Sequence, residues 1–145
     1  MSGWSATVEN LLGSNTMTSR GILLFAHGAR DPNWARPFEA AADRLRERLA
    51  IGADTQVRLA FLEFMSPTLR EAGTALAQAG CQQVTVVPLF LGAGGHVRKD
   101  LPLLMSELAE QYPHVQWRLS RAVGETDLLI QALADSAWSL AQPDQ

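Results

Sequence analysis

One cysteine in 145 residues excludes an intramolecular disulfide. Cys81 follows a helix signal and reads as a small buried apolar side chain, as expected of a protein kept in a reducing, cytoplasmic setting. No apolar run nears the ~20 residues needed to cross a bilayer, and no membrane partner is expected. The first residues lack the basic-then-apolar order of a secretory signal. Neither sign of charge dominates: 12 Lys and Arg stand against 15 Asp and Glu, a net charge of −3, so nothing draws the whole chain toward nucleic acid. Internal repeats and low-complexity segments are absent. The glycine run Gly92-Ala93-Gly94-Gly95 lacks the Lys-Ser/Thr ending of a phosphate loop. No acid follows it at dinucleotide-fold spacing either, so no organic cofactor is expected.

What is present is an ordinary core-forming composition, 47% apolar and 19% charged. A chain of this length buries roughly 68–70% of its unfolded surface as one domain. Residues 1–19 are polar, rich in Gly, Ser, Thr and Asn, and read as a flexible tail, with Met17 an alternative start; the folded domain is expected over 20–145. Strands are expected at Gly21–Ala26, Gln56–Leu62, Val84–Leu91 and Val115–Leu119. Helices are expected at about Asn33–Leu49, from Ser66 (N-cap, with Pro67 at the first helical position) to Gly80, at Asp100–Gln111 with Pro102 in the first turn, and at Thr126–Ala141. Strands that alternate with helices across short connections imply a single doubly wound α/β domain, flavodoxin-like. Its four-stranded parallel sheet would carry helices on both faces.

Three residues with ligand chemistry fall just past three of these strands: His27, Glu63 and His96. Open α/β sheets bind ligands at that edge. Two imidazoles and a carboxylate suit a borderline divalent ion such as Fe, Co, Ni or Zn better than Ca or Mg. Three protein ligands leave coordination positions open, as catalytic sites do. The competing reading is that each histidine is a hydrogen-bonded loop residue. Glu63 lies in Phe61-Leu62-Glu63-Phe64-Met65, where a charge among apolar side chains calls for a partner. Gly92, Gly94 and Gly95 would let the backbone pass close to a large flat ligand. Arg30, Arg98 and Lys99 flank the histidines and would meet anionic groups, or else are solvated charges. His114 precedes the last strand, at the opposite edge, and reads as structural. Trp34 lines the cleft or packs the first helix, while Trp117 and Trp138 read as core.

Three segments resemble the motifs of a known family, the small sirohydrochlorin chelatases of the CbiX/SirB type. The first is Ile22-Leu23-Leu24-Phe25-Ala26-His27-Gly28-Ala29-Arg30-Asp31. The second is Phe61-Leu62-Glu63 with Pro67-Thr68-Leu69. The third and most specific joins Val87-Pro88-Leu89-Phe90-Leu91, Gly94-Gly95-His96-Val97 and Asp100-Leu101-Pro102. The resemblance runs from about Gly21 to Leu140. It implies a class II chelatase that inserts Fe or Co, with Ni as a third candidate, into sirohydrochlorin without ATP, in siroheme or cobalamin biosynthesis. It implies that His27 and His96 bind the metal and assist proton removal, that Glu63 is the acidic ligand, and that the chain is a homodimer. The 19-residue extension matches no family role, and the chain ends without a His- or Cys-rich segment, so metal delivery is left open. Two other readings stand beside it. One is a non-catalytic metal or tetrapyrrole delivery protein that uses the same residues. The other is a phosphoryl-transfer enzyme with His27 as nucleophile, disfavoured because Ala26 stands where histidine phosphatases carry arginine.

Overall fold

The structure is a computed structural model and describes residues 19–49, 54–92 and 94–144; the side chain of His96 and the expected tail over residues 1–18 lie outside the described residues. Four parallel strands, β1 (Arg20–Ala26), β2 (Thr55–Phe61), β3 (Gln83–Pro88) and β4 (Gln116–Leu119), form one sheet in the order β2-β1-β3-β4. The central strand β1 is apolar on both sides because both sides are covered. Leu23 and Phe25 point to one face, where Val84, Val86 and Ala60 meet Leu69, Ala72 and Leu76 of helix α2 (Leu69–Gln78) and Val97, Leu101 and Leu108 of helix α3 (Gly95–Gln111). Ile22 and Leu24 point to the other, toward Ala42 and Leu45 of helix α1 (Arg36–Arg48). The doubly wound parallel sheet is therefore as expected. Among the described residues no helix is long and apolar enough to cross a membrane. Cys81 is buried, as expected, and accepts a hydrogen bond from the Ser19 hydroxyl.

The element starts differ from expectation in three places. A 3-10 turn at Pro32–Ala35, capped by Asp31, precedes α1, so the α-helix proper starts at Arg36. Helix α2 is capped by Thr68, not Ser66, and the Ser66–Pro67 peptide is cis rather than the first helical step. The reason is Glu71. Three residues after Thr68, its carboxylate accepts from the Thr68 amide while the Thr68 hydroxyl accepts from the Glu71 amide, a reciprocal cap that Ser66 has no acid to form. The Thr68 amide first, and the Thr68 hydroxyl second, hold the Glu71 carboxyl below its usual range.

Helix α3 starts at Gly95 rather than Asp100, and Pro102 sits inside it. Val97, Leu101, Leu104, Met105 and Leu108 form one continuous apolar stripe, and its burial outweighs the lost hydrogen bond at Pro102. β3 correspondingly ends at Pro88 instead of Leu91. Trp117 is half-buried against the core. Trp138 is not core: it is 73% exposed on helix α4 (Asp127–Leu140), none of whose residues is buried.

Candidate active site at the carboxyl edge of the sheet

Beyond the last strand residues the chain segments stay joined. The Leu62 amide donates to the Ala26 carbonyl at 2.9 Å and the Glu63 amide donates to the His27 carbonyl at 3.0 Å, so the β1–β2 pairing runs on into the loops. The Leu89 amide reaches the Phe25 carbonyl at 2.7 Å, and the Gly124 amide reaches the Phe90 carbonyl at 2.9 Å. All four strand exits are thus tied into one rim. It carries Glu63, His27 and Phe90 side by side, with Gly124 completing the edge.

Gly28 makes the closest of these approaches possible. Its φ is +89°, and a β-carbon there would stand 1.9 Å from the Glu63 carbonyl oxygen. Only glycine permits both the left-handed backbone and the contact. The His27 ring is exposed on the rim and rests on the buried Phe90 ring, centroids 4.4 Å apart at 37°. Phe90 in turn packs on Phe25 of the core. An aromatic ladder from the interior therefore supports a solvent-facing imidazole.

Glu63 is exposed, so the expected need for a buried partner does not arise: water solvates the carboxylate. Its neighbour Phe64 has φ +66°, a conformation that costs a bulky residue of order 1–3 kcal/mol, and its ring is 58% exposed. The Arg30 guanidinium lies 5.0 Å over that ring. The pair forms one wall of the rim, with a cation fixed near His27 and Glu63.

His96 occupies the first turn of α3, behind the N-cap Gly94, and not a loop as expected. Among the described residues no group of three His, Cys, Asp or Glu converges on one point; the Glu63 amide bonds the His27 carbonyl, so it is the backbones of these two expected ligands that adjoin on the rim. Gly92 and Gly94 have open space where a β-carbon would stand, so their own chain makes no demand for glycine at either position. Arg98 lines a cleft of ≈ 220 Å³ beside Phe90, between the start of α3 and the exit of β4, with Arg121 and Glu125 at its other side. Lys99 is exposed one residue on. His114 is exposed at the far edge, its ring edge-on to Tyr112, and Trp34 packs on Phe38 rather than into the rim.

Phe90, Phe64 and Arg121 were not singled out from sequence. Phe90 reads there as one more apolar strand residue, and nothing local marks Phe64 as left-handed or Arg121 as facing Arg98.

Comparison with known proteins agrees with this geometry. The curated sirohydrochlorin cobaltochelatase of Saccharolobus solfataricus is 36% identical over 85 residues, which are 59% of this chain and 62% of that protein. The chain thus matches less than two thirds of that relative's length. Among solved structures, the CbiX protein of Marinobacter aquaeolei VT8 superposes with a TM-score of 0.71 at 33% identity, covering 83% of this chain and 95% of that one. The sirohydrochlorin chelatase SirB of Bacillus subtilis subspecies spizizenii in complex with cobalt gives 0.68 at 25% identity, covering 85% of this chain and 51% of that one. The sequence model of the CbiX family matches residues 21–139, and with the parallel sheet and its histidine-bearing rim in place, the chain belongs to the CbiX family.

Proposed function

We propose that this chain inserts a divalent metal, cobalt or iron with nickel as a third candidate, into sirohydrochlorin without ATP, in cobalamin or siroheme biosynthesis. The observation that supports the reading is the rim itself: a CbiX-family chain whose exposed His27 imidazole is propped on Phe90 at the open edge of the sheet, on a loop joined by a backbone hydrogen bond to that of the exposed Glu63. Insertion exchanges two pyrrole protons for one M²⁺ ion. His27 and His96, as neutral imidazoles, hold the incoming ion or accept a proton; Glu63 supplies an oxygen ligand and negative charge. Open coordination positions then pass to the ring nitrogens.

The substrate's carboxylates need cations, and Arg30 with Arg98 supplies them, while Gly92 and Gly94 leave room for a flat ring. Residues 20–145 form the catalytic unit. The lone buried Cys81 suits a cytoplasmic enzyme. A cleft of ≈ 220 Å³ is small beside a tetrapyrrole, which fits a homodimer in which a second copy faces each rim.

Purified protein incubated with sirohydrochlorin and excess Co²⁺, Fe²⁺ or Ni²⁺ in turn, followed by the absorbance of the metallated ring, tests the reading. Many turnovers per chain are expected. Uptake that stops at one equivalent would make the protein a delivery module instead.

Arg30 gives a second measurable consequence. Arg30→Gln is expected to raise KM for sirohydrochlorin several-fold with little change in kcat, and added salt should weaken binding to the wild type in the same direction. An unchanged KM would leave Arg30 as a solvated charge held by Phe64 alone.

A further inference from the structure

The loop between β2 and α2 is clasped at both ends. The Phe61 amide donates to the Pro67 carbonyl at 2.9 Å, and the Leu62 and Glu63 amides donate to the Ala26 and His27 carbonyls at the exit of β1. Between these clasps the side chains change direction. Phe61 is buried, Glu63 and Phe64 are exposed, and Met65 turns back to pack on the cluster of Ala26, Ala35 and Phe61. The left-handed step at Phe64, φ +66°, makes that return. Glycine or asparagine would make the same step at lower cost. Phenylalanine makes it with a strained backbone that burial does not offset. Its ring is 58% exposed and joins none of the apolar clusters of the described residues. A single exposed apolar side chain is ordinary on a protein surface. One that also strains its own backbone, on the rim of a candidate site, calls for a ligand-side reason.

Arg30 is the second observation. Its guanidinium stands 5.0 Å from the Phe64 ring centroid, and among the described residues it pairs with no carboxylate. A flat apolar surface with a fixed cation at its side complements a flat apolar macrocycle edged by carboxylates. We propose that Phe64 is a substrate-positioning residue: the part of its ring that Arg30 leaves open stacks against the plane of the tetrapyrrole, and Arg30 meets a carboxylate at the macrocycle's edge. The proposal rests on the chelatase reading above and names what holds the macrocycle in register. That register is tied to His27. Phe64 follows directly on Glu63, whose amide bonds the His27 carbonyl at 3.0 Å and whose own carbonyl lies against Gly28.

Equilibrium dialysis against metal-free sirohydrochlorin tests the assignment, with thermal unfolding and light scattering measured on each variant. Phe64→Asn suits the left-handed backbone, so it is expected to unfold at or above the wild-type midpoint. Its Kd for sirohydrochlorin should nevertheless rise about tenfold. Phe64→Trp restores a flat face and should bind close to the wild-type value, whereas Phe64→Leu, apolar but not flat, should resemble Phe64→Asn. A Phe64→Asn protein that binds as tightly as the wild type overturns the proposal. So does one whose unfolding midpoint and binding fall together, since the ring would then be a structural prop. A changed mass in light scattering would assign the ring to a second copy and overturn it as well. A wild type that neither binds nor metallates sirohydrochlorin overturns the chelatase reading and this role together. A wild type that metallates it, beside a Phe64→Asn protein that binds it equally well, overturns the role of Phe64 alone.

Discussion

His27→Ala is expected to slow metal insertion at least ~10²-fold while leaving the circular dichroism spectrum and the unfolding midpoint nearly unchanged. The separation of the two effects follows from how the residue is held. Its backbone carbonyl, not its ring, accepts the Glu63 amide, so alanine keeps the joined exits of β1 and β2. The ring itself is exposed and contributes only its contact with Phe90, worth ~0.5–1.5 kcal/mol against a typical stability of ~5–15 kcal/mol. What alanine removes is the imidazole at the rim, whether it holds the ion or takes the proton. His96→Ala is expected to act in the same direction, and Glu63→Gln less strongly if the carboxylate only completes the coordination sphere. His114→Ala, exposed at the opposite edge of the sheet, is the control and should turn over normally. Initial rates with saturating cobalt decide the matter. A His27→Ala rate within a few-fold of wild type would remove that imidazole from the chemistry.

The parts of this arrangement that could be read from the sequence are those written in local patterns. Ile22–Ala26 is apolar at every position because β1 is buried on both faces, and that run, followed by His27-Gly28, announced a central strand and its ligand-bearing end. The strand–helix alternation gave the sheet for the same reason. The misread boundaries depend on reciprocal contacts. Ser66 and Thr68 are equal as capping residues until Glu71 closes back on Thr68. Pro102 looks like a first-turn residue until the Val97–Leu101–Leu108 stripe is seen buried as a unit. Glu63 looked in need of a partner because its neighbours in sequence are apolar, but those neighbours turn inward at Phe61 and outward at Phe64, and the carboxylate is solvated with the outward turn. Trp138 looked like core because apolar residues surround it. Its exposure reflects where α4 lies, which the sequence of α4 alone does not specify. The convergence of His27 with Glu63 was expected only from fold geometry; the backbone bonds that make it tight come from the register of two strands ~35 residues apart in sequence.

Gly28→Ala should be strongly damaging at the rim. Two costs combine there. The left-handed backbone at φ +89° penalises any β-carbon by ~1–2 kcal/mol, and the added carbon would meet the Glu63 carbonyl oxygen at 1.9 Å, a backbone atom that cannot rotate aside. Gly80→Ala isolates the first cost. Gly80 has φ +95° but nothing within 4 Å of the β-carbon position, so its alanine variant should lose ~1–2 kcal/mol and keep its insertion rate. Gly28→Ala should lose clearly more in the same denaturant titration, because the chain must push the Glu63 segment away to admit the methyl. The bond from the Glu63 amide to the His27 carbonyl then lengthens or breaks, and the two loops part. Insertion should fall with stability even though every group with ligand chemistry is still present, which distinguishes this variant from His27→Ala. Should Gly28→Ala prove no less stable than Gly80→Ala and insert metal at the wild-type rate, the close approach of the two loops would not be what positions His27 against Glu63.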